Sequence, residues 1–328
     1  MDSLKCAVIG CGGIAQVHAG VLARQESAEF LAFADIRPER AQALAEKYGG
    51  NAYDSIEALL DKEQPQVLHL CTPHYLHTPM AKMAAERGIH VFTEKPPVIS
   101  QAQWEEFRKL GEQIRVGVCF QNRYNPSVAY CQELLESGKA GKILGARGFV
   151  TWRREAPYYT ESGWRGSLAT EGGGALINQS IHTLDLMGVF LGKGKVLGAS
   201  LANRHLAGVI EVEDTLEAAM DYSGARGLFY ATTAYCTDAP ILLELVCENM
   251  TLRIEGEEVT VKTPEGVERR DFAQEGAALG KSYWGASHGR CIADFYQCVQ
   301  RGERFRNDIE GVAETVELML DIYQEARK

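Results

Sequence analysis

Lys95 ends a short apolar run, Val91-Phe92-Thr93-Glu94-Lys95, and Pro96 and Pro97 stop that run directly after it. A lysine held at a strand end is a candidate acid/base or charge-stabilising group. Upstream, Lys5-Cys6-Ala7-Val8-Ile9 leads into Gly10-Cys11-Gly12-Gly13-Ile14-Ala15. Gly10 permits a tight turn, Gly12 lets backbone approach a pyrophosphate, and Ala15 allows a helix to pack closely on its strand. The N-terminus of that helix then offers N–H donors to the phosphates. Asp35 ends the next strand-like run, where an acid accepts hydrogen bonds from an adenosine ribose. Turn and lysine together point to hydride-transfer chemistry beside a nicotinamide. The charge of Asp35 repels a 2′-phosphate and favours NAD over NADP, and Arg37 tempers that preference.

Gly13 and Ile14 complete the phosphate turn. Thr72 and Pro73 follow a third apolar run, at the carboxyl end of a strand, where ligands of open parallel sheets sit. They are expected to line the ribose–nicotinamide path, together with His77 and with Glu94 and Pro96 on either side of Lys95. His74 and His77 lack a third ligand nearby, so no metal is expected. The densest later motif is Trp164-Arg165-Gly166 followed by Glu171-Gly172-Gly173-Gly174 and then Asn178, His182 and Asp185. Residues 175–190 read as one helix entered through three glycines, which lack Cβ atoms and let backbone pass close to a ligand. Asn178, His182 and Asp185 then share a helix face. Asp185 is expected either to orient the imidazole or to be a solvated charge.

The elements that must position these groups fall into two textures. Strand-like runs at 6–9, 29–35, 67–71, 90–93 and 116–120 alternate with helical patterns at 14–24, 38–47, 55–61, 78–87 and 102–113. Pro38 fits a first helical position and Ser100 a cap. This alternation predicts a parallel α/β sheet, a Rossmann dinucleotide-binding domain over 1–122. Beyond it, a helix at 126–136 precedes strand-like runs at 143–153, 196–203, 215–222, 227–235, 242–247, 251–254 and 258–262. Helices at 288–301 and 310–326 close the chain. Residues 123–328 therefore predict an α+β domain with a large, mostly antiparallel open sheet.

The 328 residues carry a net charge of −10, 45% hydrophobic and 24% charged residues. With no Lys/Arg run to neutralise phosphates, a nucleic-acid partner is not expected. No apolar run approaches the roughly 18 residues of a membrane span, and no apolar leader opens the chain. Nine cysteines without a Cys-x-x-Cys pair read as reduced thiols, and the expected location is the cytoplasm.

The combination of Gly10–Ala15, Thr72-Pro73, Glu94-Lys95-Pro96, Asn122-Arg123-Tyr124, the 172–185 motif and the tail Tyr283-Trp284-Gly285, His288, Asp294-Phe295 resembles the glucose–fructose oxidoreductase / inositol dehydrogenase (Gfo/Idh/MocA) family. The resemblance implies NAD(P)-dependent oxidation or reduction of a sugar, cyclitol or sugar derivative. It also implies an open sheet that builds homo-oligomers, dimers or tetramers, and a cis Lys95–Pro96 bond. Lys95 matches the family's catalytic lysine and His182 its catalytic histidine. Many members carry aspartate where this chain has Asn178, which can hydrogen-bond a hydroxyl but holds no charge.

Oxidising a secondary alcohol needs a base for the hydroxyl proton. An ordinary histidine titrates near about 6.5 and a lysine near about 10.4. His182 is therefore expected to take the proton while Lys95 hydrogen-bonds the same oxygen, with Lys95 as base the alternative and Asn178 as the third member of the catalytic group. Arg123, Tyr124, Trp164 and Arg165, with Asn178 and His182, are the expected substrate contacts, since aromatics beside arginines suit sugar faces and acidic groups. Tyr283 and His288 would close the site. Two other functions fit the same residues: a lyase or glycosidase that recycles NAD through a transient keto-sugar, and a non-enzymatic sugar or nucleotide sensor.

Overall fold

A computed structural model of the chain describes residues 3–273 and 287–328. The first sheet contains β1 (Leu4–Ile9), β2 (Ala28–Ala34), β3 (Asn51–Tyr53), β4 (Val67–Leu70), β5 (His90–Thr93) and β6 (Val116–Val118). All its pairings are parallel, in the order β3-β2-β1-β4-β5-β6. β4 is buried throughout and β1 nearly so, because helices cover both faces of a parallel sheet. The helices are α1 (Gly13–Leu22), α2 (Pro38–Tyr48), α3 (Ile56–Lys62), α4 (His77–Ala85) and α5 (Gln101–Phe107). Pro38 opens α2, and the Ser55 and Ser100 hydroxyls accept the backbone N–H of Ala58 and Gln103 to cap α3 and α5. Between β1 and β4 the strand order reverses, which opens a crevice at the carboxyl ends of the strands.

The second sheet comprises β7 (Ile143–Thr151), β8 (Lys195–Ala202), β9 (Thr215–Tyr222), β10 (Ala225–Thr232), β11 (Leu242–Cys247), β12 (Thr251–Glu255), β13 (Glu258–Thr263) and β14 (Gly266–Asp271). Its order is β14-β13-β12-β11-β7-β10-β9-β8, antiparallel except for β7 beside β10. Its helices are α6 (Pro126–Glu136), α7 (Ala156–Thr160) and α8 (Ile181–Leu191). α8 lies on β7, where a Cβ on Gly148 would stand 3.0 Å from Met187 Sδ and Thr183 Cγ2.

Two further helices, α9 (His288–Arg301) and α10 (Ile309–Ala326), follow. The chain divides into two compact units, Met1–Gln121 with Ala278–Val312 and Asn122–Ala277 with Ala313–Lys328. This differs from the single cut expected after residue 122. The reason is apolar: Phe295 and Tyr296 of α9 are buried against Phe92 and His69 of the first sheet.

Candidate active site

The phosphate turn is built as its residue types require. Gly10 has φ +83°, and a Cβ there would sit 2.8 Å from the carbonyl oxygen of Cys71. Gly12 caps α1 without any side-chain acceptor, and a Cβ on Gly12 or Gly13 would meet nothing within 4 Å. Backbone N–H groups at this helix end therefore face open space of the kind a pyrophosphate fills. Asp35 lies just past β2. Its Oδ2 accepts the Cys11 N–H at 2.7 Å and its Oδ1 the Arg37 N–H at 2.8 Å. Asp35 thus fastens the turn as well as marking the ribose end, and the Arg37 side chain is exposed beside it. Ile14 is half-buried and Ala15 wholly buried in α1. Thr72 Oγ1 is a buried hydroxyl with no hydrogen-bond partner, at the strand-end position where a nicotinamide ribose or amide would supply one. The residues fit NAD.

His77 does not line that path. It is fully buried, with Nδ1 2.7 Å from the Pro96 carbonyl and Nε2 2.9 Å from the Thr72 carbonyl. Burial lowers its pKa against the pull of these two carbonyls, and the ring lies between the turn after β4 and the turn after β5. It positions the strand ends that carry Thr72 and Lys95, which corrects its expected place at the cofactor. Pro73 and Lys95 are half-buried, Pro96 is buried, and the Lys95–Pro96 bond is cis.

Beneath Lys95 lies a buried polar network that sequence reasoning missed. Glu94 Oε1 stands 2.9 Å from His18 Nε2, and Glu94 Oε2 accepts the Lys95 backbone N–H at 3.3 Å. His18 Nδ1 is 3.0 Å from His69 Nδ1, and His69 Nε2 is 3.0 Å from the Tyr296 hydroxyl. Burial alone would lower the His18 pKa, but Cys119 and Glu94 raise it to about 9. Burial holds the Cys119 thiol well above its ordinary range, so the charged partner is the carboxylate. Burial would raise Glu94, yet His18, His288 and Lys95 bring it well below the usual carboxylate range. A cationic His18 then donates to Glu94 and to His69, which burial keeps neutral and which donates to Tyr296. His18, Glu94 and Cys119 offer three ligand atoms within 4.8 Å of one another, but both His18 nitrogens already have protein partners. Glu94, expected at the cofactor, is thus the internal anion next to Lys95. His288 is buried beside His18 and lowered to about 4 by that burial, rather than placed to close a site. Tyr283 lies outside the described residues.

In the second unit the helix expected over 175–190 is two elements. Residues Ala175–Ser180 form a π-helical turn and α8 begins at Ile181. The Ser180 hydroxyl donates to the Ala175 and Leu176 carbonyls. At the turn's start, buried Glu213 accepts the N–H groups of Gly174 and Leu176 at 2.9 and 3.0 Å, and the Tyr323 hydroxyl donates to Glu213. Burial raises the Glu213 pKa against these hydrogen bonds. The glycines serve this packing: a Cβ on Gly173 would lie 2.0 Å from Tyr323 Oη, and one on Gly174 2.0 Å from the Glu213 carbonyl oxygen. The close approach is therefore to protein, a correction of the expected approach to ligand. Such π turns cluster at functional positions, and this one carries Asn178, with His182 in the first turn of α8. Both are half-buried.

Asp185 neither orients the imidazole nor faces solvent. It is wholly buried and takes Arg123 Nε at 2.8 Å, Arg123 Nη2 at 2.5 Å and the Thr315 hydroxyl at 2.6 Å. Arg123, expected at the substrate, is buried with its guanidinium engaged by this carboxylate, and Tyr124 follows in the same short 3-10 turn. Asn178 meets Glu171 and Tyr158, and Arg165 and Trp164 follow beyond Tyr158. Asn178 Nδ2 donates to Glu171 Oε1 at 2.5 Å and lies 3.5 Å from the Tyr158 hydroxyl. The Arg165 guanidinium stacks on Tyr158 at 4.5 Å and on Trp164 at 4.7 Å. Sequence reasoning quoted Glu171 only as part of the glycine motif. The signal for it was an acid seven residues before an asparagine, across a glycine run.

An open-ended phosphate turn at a parallel sheet's switch point, with a strand-end lysine beyond it, defines a dinucleotide-binding protein of the Rossmann class. The chain belongs to the Gfo/Idh/MocA family: residues 4–120 match its oxidoreductase-family, NAD-binding Rossmann domain and residues 128–258 its C-terminal domain. Among curated proteins it is 34% identical over 197 residues to D-glucoside 3-dehydrogenase of Escherichia coli (strain K12), covering 58% of this chain and 54% of that one. It is 26% identical over 196 residues to glucose-6-phosphate 3-dehydrogenase of Bacillus subtilis (strain 168), covering 56% and 52%. The chain spans about half the length of the curated relatives it matches. Among solved structures, the WlbA dehydrogenase of Bordetella pertussis, in complex with NADH and UDP-GlcNAcA, superposes with a TM-score of 0.86 at 26% identity, covering 99% of this chain and 97% of that one.

Proposed function

We propose that the protein is an NAD-dependent dehydrogenase that interconverts a secondary hydroxyl and a ketone on a sugar, cyclitol or sugar derivative. One observation carries the reading: the phosphate turn, the buried orphan hydroxyl of Thr72 and Lys95 all sit at the carboxyl ends of β1, β4 and β5. NAD, held by the Gly10–Ala15 turn, Asp35 and Thr72, supplies a two-electron hydride acceptor. His182 removes the hydroxyl proton, Asn178 hydrogen-bonds a substrate hydroxyl, and Lys95 stabilises negative charge on the reacting oxygen. The glucoside and sugar-phosphate dehydrogenases among the relatives support a carbohydrate substrate, and their names favour oxidation at a ring carbon.

The open face of the second sheet supports self-association. By register Leu242, Phe149 and Tyr230 form one row across β11, β7 and β10, with Leu228 and Val246 on the same face. Leu228 is 56% exposed and Val246 41%. We place the protein in the cytoplasm because all nine cysteines are free thiols and eight of them are buried. No helix among the described residues is long and apolar enough to cross a membrane.

The experiment is NADH formation from NAD with a panel of glucosides, sugar phosphates and cyclitols, repeated with Lys95→Met and His182→Ala. Turnover by the wild type, falling at least about a hundredfold in each variant, is expected for groups acting on the reacting oxygen. Lys95→Met at near-full rate would remove the lysine from the chemistry. His182→Ala with an unchanged basic limb would remove the histidine as base.

A further inference from the structure

We propose that Glu171 is a positioning residue that fixes which end of the Asn178 amide is presented to substrate, so that Asn178 acts as an acceptor toward a substrate hydroxyl; the proposal rests on the reading of Asn178 as a substrate contact. An asparagine amide has nearly the same shape either way round, but its two ends have opposite hydrogen-bonding character. A carboxylate only accepts, so the 2.5 Å contact with Glu171 Oε1 demands the NH2 end. The reverse orientation would press two oxygens together. The Tyr158 hydroxyl, 3.5 Å away on the same side, favours the same choice. Oδ1 is thereby turned away from this wall.

Glu171 is itself held. It is 0% exposed, its Oε2 accepts the Gly166 N–H at 2.5 Å, and its own N–H donates to the Ser167 carbonyl. One oxygen anchors the loop while the other orients Asn178. Burial raises the Glu171 pKa to about 7, opposed by the Gly166 and Asn178 hydrogen bonds and by Arg165. The ionisable groups facing it among the described residues include Arg165 from its own loop, Glu213 from the segment before β9, Tyr159 from α7 and Tyr323 from α10. Burial holds both tyrosines above their usual range, so they stay neutral phenols while Glu171 titrates. Once protonated, Glu171 can donate to Oδ1, and the amide is free to present its NH2 end instead. The acceptor is therefore lost as pH falls through about 7.

The test has two arms on the full chain. In the first, the side-chain NH2 signals of Asn178, identified by their loss in Asn178→Asp, are followed by NMR against pH without substrate. They should move with a midpoint near 7 in the wild type and stay still in Glu171→Gln. In the second, NADH formation is measured with methyl β-D-glucoside and NAD. Glu171→Gln should raise KM about tenfold with kcat changed less than threefold, and its KM should no longer climb below pH 7. The double variant Glu171→Gln/Asn178→Asp restores a donor–acceptor pair with the roles exchanged and should recover KM relative to Asn178→Asp alone. Wild-type NH2 signals that ignore pH, or a Glu171→Gln enzyme with wild-type KM and an unchanged acid limb, would overturn the proposal. Absence of turnover with the glucoside would count against the substrate reading, while the NMR arm still decides the role of Glu171.

Discussion

Arg123 grips both carboxylate oxygens of Asp185 in a bidentate pair, and both side chains are buried. Asp185 sits in α8 one turn beyond His182, so the pair decides what the helix can offer. A carboxylate engaged by a guanidinium and by the Thr315 hydroxyl has no role as an orienting partner for the imidazole. The charge is structural: it fastens α8 to the 3-10 turn Gln121–Tyr124.

Asp185→Asn should therefore be costly, because it leaves the Arg123 charge buried without its counter-ion. Loss of one partner of such a pair costs about 3–5 kcal/mol, whereas replacing both with apolar residues is often close to neutral. Urea unfolding of Asp185→Asn should show a loss in that range, and the double variant Arg123→Met/Asp185→Leu should recover most of it. A single variant that loses under about 1 kcal/mol, the value of an exposed pair, would show that solvent reaches the site.

The Glu94–His18 pair predicts a particular pH dependence of stability. His18 titrates at 6.5 unperturbed and near 9 in the folded protein, so the folded state binds the proton more tightly. That contribution is complete below pH 6.5 and disappears as pH rises through 9. Glu94 has its pKa depressed from 4.5, so its share is present above pH 4.5 and is lost on acidification. The pair is thus fully effective between 4.5 and 6.5. Tm of the wild type is compared with that of His18→Asn across pH 5 to 10. The difference should shrink from pH 6.5 to pH 9. A difference that stays flat over that interval would mean that His18 is neutral in the folded state.

What was legible in the chain was what is local. The Gly10–Ala15 turn, the Ser100 cap and Pro38 at a helix start each depend on neighbours within a few residues, and all three fold as their types suggest. β3 and β14 escaped because one has three residues and the other is exposed along its whole length, so neither shows a hydrophobic period. The π turn escaped for a different reason. Gly174 meets Glu213 across 39 residues of sequence and Ile177 meets Tyr323 across 146, and no spacing rule carries that far. Likewise, nothing within a few residues of His18 in α1 or His69 in β4 marks them: their partners Glu94 and Tyr296 come from 76 and 227 residues away in sequence.

The second sheet makes the last prediction. Leu228 is the most exposed apolar side chain in the centre of an eight-stranded face, and by register it stands next to Arg147, which pairs with Glu244 at 2.8 Å. Arg147 and Glu244 neutralise each other, and the surrounding Phe149, Tyr230, Leu242 and Val246 form an apolar field flanked by Glu217 beside Tyr230 and by Arg226 two residues before Leu228. A stable dimer buries about 800 Å² on each partner, and one face of an eight-stranded sheet is wide enough to supply it. Leu228→Glu puts a charge into that field without touching the core side of β10. It should shift the protein to monomer in sedimentation equilibrium while leaving Tm at limiting dilution unchanged within about 2 °C, since exposed substitutions fall within about ±0.5 kcal/mol. Leu197→Glu is the control: Leu197 is also exposed, but it lies at the bulge of the edge strand β8, away from the central rows. If Leu228→Glu and the control sediment alike, the copies do not meet on the centre of this face.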